Sequence, residues 1–292
     1  MKPIFAKILD GKINDIYGLK VIDAPYFSTD FHFHEECQLV YHIESEGRVM
    51  IGDSIGSFDN EELIFVGSNL PHVWHNNTHY FSASSTDLHA RSISLFIHPE
   101  KILFFFREPE NIQQVKSFFQ LAKRGMKFGA CTKKKVKTLL IKMASVTQEF
   151  SLLIALLEVL NTLCYATDYE LLTSPGYINN FQLKDNDRMD KILKYVFNNF
   201  DKEILLSEAA DMTNMSKQAF CRYFKQRTQK TFVTFVNEVR IGHACKLLAE
   251  TDKQIGELAY ICGFNCLPNF NKFFKMAKGV TPNEYKKMLI RR

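Results

Sequence analysis

One pattern occurs twice in the 292 residues of this chain, and it constrains the fold more than any other feature. EAADMTNMSKQAFCRYFK (208–225) and ELAYICGFNCLPNFNKFFK (257–275) align at an offset of 49 before an internal turn and 50 after it, so the second copy holds one extra turn residue. Each copy reads as a short helix, a tight turn and a second helix, followed by a similar restart, TFVTFV at 231 and TPNEYK at 281. A repeated unit must solve the same packing problem twice. Asn214 and Gly263 hold the turn, where a left-handed backbone is tolerated best by Gly and next by Asn. Ser207 and Ser216 are the expected N-caps of the two helices of the first copy.

The second helix of each copy has two chemically distinct faces. In 216–226, Phe220, Tyr223 and Phe224 form an inward stripe, and Gln218, Arg222 and Lys225 lie opposite with Cys221 beside them. In 267–278, Phe270, Phe273 and Phe274 are the anchors. Pro268, Lys272 and Lys275 face out there, flanked by Asn269 and Asn271. Pro268 fits only in a first helical turn, which places the helix start near Leu267. A helix that reads a major groove needs this division, one side held by its partner and the other offering donors to base edges. One such helix is equally well an ordinary amphipathic helix with a solvated face; two in a basic region favour the first reading. Residues 186–292 carry 19 Lys/Arg against 11 Asp/Glu, whereas residues 1–185 carry 18 against 21. A basic tail behind a mildly acidic front suits a polyanion-binding C-terminal domain. The intervening TFVTFVNEVRIGHACKLLAE (231–250) lacks Pro and reads as one helix of about 30 Å. That is close to the roughly 34 Å between successive major grooves on one face of DNA.

Upstream, IYGLKVI, CQLVYHI, RVMIGD, LIFVG and SISLFI within 14–98 are short strands separated by turn residues, the texture of a β-barrel or sandwich. From about 111 the apolar spacing becomes helical. SLLIALLEVLNTLCY (151–165) is apolar on more than one face, so it needs more than one neighbour. It is too short, and too interrupted by Glu158 and Asn161, to span a bilayer. Residues 171–187 lose periodicity and read as a linker. The N-terminal MKPIFAKILDGK has no apolar run of the signal-peptide kind. The seven cysteines are odd in number and scattered, which suits reduced thiols in a cytoplasm. Cys262 and Cys266 form the one close pair, and without a second pair nearby they read as small residues flanking a turn rather than as a zinc site.

RIGHACKLLAETDKQIGELAYICGFNCLPNFNKFFKMAKGVTPNEYK (240–286) resembles the two-repeat helix-turn-helix domain of the AraC/XylS family of bacterial transcription regulators. The matching residues include Arg240, Ala244, Leu247, Leu248, Ile255, Ala259, Gly263, Phe264, Phe270, Phe273, Phe274, Lys275, Gly279, Thr281, Pro282 and Tyr285, and the likeness covers roughly 188–288. The resemblance implies base contacts from Gln218, Cys221 and Arg222 in one recognition helix, where Lys225 is a further DNA-binding candidate. In the other it implies contacts from Leu267, Pro268, Asn269, Asn271 and Lys272. Cys221, Leu267 and Pro268 are poor hydrogen-bonding readers, which shifts readout toward Arg222, Gln218, Asn269 and Lys272.

HFHEECQLVYHI with VGSNLPHVWHNN resembles the cupin-like barrel found ahead of such tails. Cupin metal sites combine His-x-His, a Glu four residues on, and a His from a later strand; mapped here these are His32, His34, Gln38 and His72. Gln38 departs from the pattern, since a neutral amide is a weaker ligand for a divalent ion. Glu36 is the acid that could substitute. His32, His34, Glu36, Gln38, Arg48, His72 and Trp74 are therefore candidate effector-pocket residues, with His75 on the same rim. A metal would fall to His32, His34 and His72, and a polar rim without ligand stays open.

The expected architecture is α+β: a cupin-like sensor barrel (1–110), a helical dimerisation region (111–170), a linker (171–187) and an all-α DNA-binding domain with two helix-turn-helix motifs (188–292). The expected function is that of a cytoplasmic, homodimeric, sequence-specific transcription regulator modulated by a small molecule. It has no catalytic activity, cofactor or membrane association, and RNA polymerase is a further candidate partner. The alternative is a cupin metalloenzyme fused to a DNA-binding tail.

Overall fold

A computed structural model of the chain describes residues 16–27, 30–81, 89–105, 109–178 and 186–290. The signal-peptide reading of the first twelve residues lies outside them. Two compact units part between residues 178 and 186.

Among the described residues nine strands form two sheets. They are β1 (Tyr17–Ala24), β2 (Cys37–Glu44), β3 (Gly47–Ile51), β4 (Ser54–Phe58), β5 (Leu63–Val66), β6 (His72–Asn76), β7 (Ala90–Ile97), β8 (Met126–Phe128) and β9 (Tyr169–Leu171). The larger sheet has the order β1-β7-β2-β5-β8-β9 and the smaller β4-β3-β6. All five strands expected from the sequence form; β4, β6, β8 and β9 are additional. The two sheets face each other without closing into a continuous barrel. Among the described residues a single antiparallel bridge between His32 and His72 reaches from the His-x-His segment to β6.

Four helices cover the other face of the larger sheet: α1 (Pro99–Phe104), α2 (Pro109–Ala122), α3 (Ala130–Ser145) and α4 (Glu149–Cys164). This explains why β2 is buried through six consecutive residues instead of alternating. Leu39 and Tyr41 join a core with Leu140, Leu156 and Val159 of the helices. Val40 joins a second core between the sheets with Phe58, Ile64 and Trp74. The helical stretch 111–170 thus shares one core with the sheet rather than standing as a region apart. The expected linker differs as well. Its first part carries the end of β9 and then packs on the same unit: Arg124 donates to Thr173 O at 2.6 Å and the Ser174 amide to Asp53 at 3.1 Å. Residues 179–185 of that linker lie outside the described residues.

Among its described residues the C-terminal unit is helical: α5 (Asn186–Asn199), α6 (Leu206–Met212), α7 (Lys217–Thr228), α8 (Phe232–Glu250), α9 (Ile255–Ile261), α10 (Leu267–Lys278) and α11 (Pro282–Ile290). Met189, Ile192, Leu193, Val196 and Phe197 of α5 are buried at helical spacing. The long helix α8 serves both copies of the repeat. Near its start, Phe232 and Phe235 lie 5.2–5.3 Å, ring to ring, from Phe220 and Phe224 of α7. Farther along, Ile241, Ala244 and Leu248 pack with Leu258, Phe270 and Phe274 of the second copy. Each fully buried Phe contributes about 2–3 kcal/mol to holding its recognition helix on α8.

Candidate nucleic-acid interface and histidine cluster

The two copies of the repeat close with the same hydrogen bonds. In the first, Asn214 N–H donates to Asp211 O and Met215 N–H to Ala210 O, both at 3.0 Å. In the second, Gly263 N–H donates to Tyr260 O at 2.9 Å and Phe264 N–H to Ala259 O at 3.0 Å. This pair of bonds ends a helix through one left-handed residue. Asn214 at φ 53° and Gly263 at φ 80° supply it, as their places in the sequence suggest. The second helices also stop alike, with Gln229 and Gly279 both left-handed and donating to Lys225 O and Lys275 O. Ser216 caps α7 by accepting from the Ala219 amide at 3.3 Å. Ser207 does not cap α6: the helix begins at Leu206, two residues earlier than a Ser207 cap requires, Leu205 is its cap without a side-chain bond, and Ser207 lies inside the first turn.

Phe220, Phe224, Phe270 and Phe274 are fully buried, so the rotation of both second helices is fixed. Lys217, Gln218, Cys221, Arg222, Lys225 and Gln226 then face solvent on α7. Leu267, Pro268, Asn269, Asn271, Lys272, Lys275 and Met276 do so on α10. All nine candidate DNA-binding residues are therefore exposed on the two second helices. Arg240 of α8 ties the unit together. It donates through Nε to Phe200 O at 2.7 Å and through Nη2 to Lys202 O at 2.8 Å, and its guanidinium lies 5.6 Å from the centre of the Phe264 ring. Thr281 and Glu284 complete a reciprocal cap at the start of α11. Cys262 is buried in the second copy's core, and all seven cysteines are free thiols.

In the N-terminal unit the His-x-His segment and β6 bring three rings together. Ring centres of His32, His34 and His72 lie 4.4–5.8 Å apart. One nitrogen of each ring lies within 4.8 Å of those of the other two. Each Nδ1 is 2.8 Å from a backbone carbonyl, that of Asp30, Glu36 and Leu70 respectively. Donation there leaves each Nε2 unprotonated and facing the others. Burial pushes all three pKa values down, that of His34 to about 4, so the rings are neutral at neutral pH. His34 Nε2 is buried without a well-formed hydrogen bond among the described residues. His72 Nε2 lies 3.1 Å from the terminal oxygen of Gln38, whose amide nitrogen is 3.1 Å from Ser94 Oγ. A neutral His72 that already donates through Nδ1 has no second proton. The Gln38 amide therefore satisfies both partners only when turned over, NH2 toward His72 and oxygen toward the Ser94 hydroxyl.

The other candidate pocket residues divide. Trp74 packs edge-on against His72 at 4.9 Å. The Glu36 carboxylate lies 3.7 Å from His34 Nδ1, the ring edge turned away from the cluster, so it does not stand in for the missing acid. Arg48 and His75 pair in register on β3 and β6, alternating with Val49 and Trp74 of the inter-sheet core. That places them on the opposite face of the smaller sheet, away from the three histidines. Sequence reading missed His42, which faces the inter-sheet core among Phe27, Phe58 and Trp74. Its period-2 relation to Gln38 and Val40 was the available signal. A cleft of about 1140 Å³ opens on the helical side of the unit, lined by residues including Cys37, Leu70, Leu103, Phe119, Lys123 and Arg124. None of the seven candidate pocket residues lines it.

Residues 209–288 match a family model described as a helix-turn-helix domain. The chain is 31% identical over 118 residues to the uncharacterized HTH-type transcriptional regulator YdeC of Bacillus subtilis (strain 168), spanning 38% of this chain and 40% of that protein. It is 32% identical over 109 residues to the bifunctional transcriptional activator/DNA repair enzyme AdaA of the same organism, spanning 37% and 52%. Among solved structures, ToxT from Vibrio cholerae O395 aligns over 94% of this chain and 98% of that chain, at 14% identity and a TM-score of 0.37. The chain spans about half or less of the length of these two curated relatives.

Proposed function

We propose that this chain, whose C-terminal unit carries an AraC-type helix-turn-helix domain, is a sequence-specific regulator of transcription that binds duplex DNA through α7 and α10. One observation carries the reading: the same helix-turn-helix geometry is built twice on a single rigid helix, with the outward face of each second helix left free. The 19 residues of α8 span about 28 Å at 1.5 Å per residue. That length suits two reading heads in successive major grooves about 34 Å apart. Arg222 and Gln218 are the hydrogen-bonding readers of α7, and Lys225 contacts phosphate. Asn269, Asn271 and Lys272 read from α10. The regulator works in the cytoplasm as a homodimer and acts on RNA polymerase from its site. The test is selection of duplexes from a random library by the full-length chain, followed by titration of the selected duplex. Specific affinity at moderate salt that exceeds affinity for scrambled duplex by less than about tenfold would overturn the reading, since specific ratios ordinarily reach 10³ or more.

The N-terminal unit is the sensor. The polar set His34, Gln38, His42, His72 and Ser94 is buried inside an otherwise apolar inter-sheet core. Retaining such groups costs stability unless they have partners. Cupin metal sites use such a histidine set, and three neutral imidazoles with second nitrogens anchored on carbonyls would suit a divalent ion once the Gln38 amide gives up its bond to His72 Nε2. His32, His34 and His72 would hold the ion, which would offer open positions to oxygen atoms of an effector. Ligand occupancy shifts the population of DNA-competent dimers. Metal content of the purified chain, read with and without His72→Ala, separates a bound ion from a polar rim.

A further inference from the structure

The two recognition helices are chemically unlike, although the fold makes them equivalent. Phe220 corresponds to Phe270 and Phe224 to Phe274, all fully buried, and the left-handed caps Gln229 and Gly279 fall at the same offset of 50. This registration pairs Lys217 with Leu267, Gln218 with Pro268, and Gln226 with Met276. Three hydrogen-bonding side chains of α7 are thus apolar in α10. None is buried by its own unit: Leu267 is 37% and Met276 67% exposed, and Pro268 is exposed as well. Leu267 and Pro268 occupy the first turn of α10, the part of a recognition helix that reaches base edges. The major-groove edge of DNA carries one apolar group, the C5-methyl of thymine. Asn271 stands four residues after Leu267 on the same exposed stripe. An Asn side chain there pairs bidentately with the N6 and N7 of adenine.

We propose that α10 reads an A·T-rich half-site by packing Leu267 and Pro268 on thymine methyls, with Asn271 on an adjacent adenine, whereas α7 reads its half-site by hydrogen bonds. This rests on the DNA-binding function above and names the sequence class that the second head selects. An apolar contact has no hydrogen-bond partner to lose, so the specificity that Leu267 and Pro268 add comes from the methyl group itself.

The methyl can be removed without touching the protein. The probe is the duplex selected by the full-length chain, synthesised with deoxyuridine in place of thymidine in the segments that face one recognition helix or the other. Each buried methyl lost should weaken binding about fourfold. The loss should arise only in the segment that α10 contacts, and Leu267→Ala should diminish the sensitivity of that segment. Arg222→Ala should leave it intact, since Arg222 belongs to the other head. If uracil substitution in either segment leaves affinity unchanged while the selected duplex still binds specifically, methyl readout is wrong and DNA binding stands. If no duplex is selected at all, both fail. If the sensitivity persists undiminished in Leu267→Ala and in Pro268→Ala, the methyls are read elsewhere and the assignment to α10 falls.

Discussion

The Phe200 carbonyl oxygen lies 2.5 Å from where a Cβ on Gly263 would sit. The same oxygen accepts the Arg240 Nε–H at 2.7 Å. A side chain at Gly263 would displace the acceptor that Arg240 needs, at a position whose φ of 80° already disfavours any L-residue. Gly263→Ala should therefore destabilise the C-terminal unit by about 2–4 kcal/mol, read from the urea midpoint of the helical circular-dichroism signal. Asn214→Gly, at the equivalent turn of the first copy, should change stability by less than about 1 kcal/mol. Equal effects at the two turns would contradict the structural distinction between them.

Arg240→Leu tests the other side of that contact. Two charge-assisted bonds to the Phe200 and Lys202 carbonyls would be lost, along with the stacking on Phe264. A loss of about 2–3 kcal/mol is expected by the same melt. The double variant with Gly263→Ala should cost less than the sum of the two, because both act through one carbonyl.

On DNA, Arg222→Ala should cost about 1–3 kcal/mol on the selected site and relax the preference at one base position. Lys225→Ala should weaken selected and scrambled duplexes alike and lower the salt slope by about one. Titrations at several salt concentrations distinguish the two. A uniform loss in Arg222→Ala would demote it to a phosphate contact.

Helix α4 has two apolar faces. Ala155, Leu156, Val159, Leu160 and Leu163 pack in the N-terminal core, but Phe150, Ile154 and Leu157 remain 74%, 43% and 43% exposed at i, i+4, i+7. This stripe is where the proposed homodimer would meet its partner subunit. Leu157→Glu should convert a dimer to a monomer in sedimentation velocity and lower DNA affinity by at least tenfold, through loss of effective concentration at the second half-site. An unchanged sedimentation coefficient would place the dimer contact elsewhere.

Burial drives the His42 pKa down to about 3, and neither ring nitrogen has a hydrogen-bond partner among the described residues. Its folded pKa lies below its unfolded value of about 6.5. The neutral ring's contribution is therefore fully present above that pH and is lost as pH falls from there toward 3. His42→Leu should raise stability at neutral pH by about 1 kcal/mol, since an apolar group replaces an unpaired one. It should also flatten the acid limb of the stability curve by up to about 1.4 kcal/mol per pH unit. Urea melts between pH 7 and 4 give both quantities, and an unchanged acid limb would mean that His42 is hydrated in the folded chain.

The sequence by itself determined the C-terminal architecture. The repeat, the Phe stripes at 220/224 and 270/274, and the turn residues Asn214 and Gly263 are local signals, and their geometry follows from helical periodicity and backbone sterics alone. The five principal strands were legible for the same reason, through alternation and turn residues. What only the tertiary structure decided depends on contacts between segments far apart in the chain. The bridge from His32 to His72 converges three rings across 40 residues, and strand pairing turns Arg48 away from them by register alone. The strands β8 and β9 are three residues each, too short to carry a period, and exist because the sheet edge beside β5 offers them partners. Leu205 caps α6 in place of Ser207 because packing of Ala209 and Ala210, both buried, fixes where that helix must begin. Local propensity is worth about 1 kcal/mol per residue at most positions, and burial of a few core side chains outweighs it.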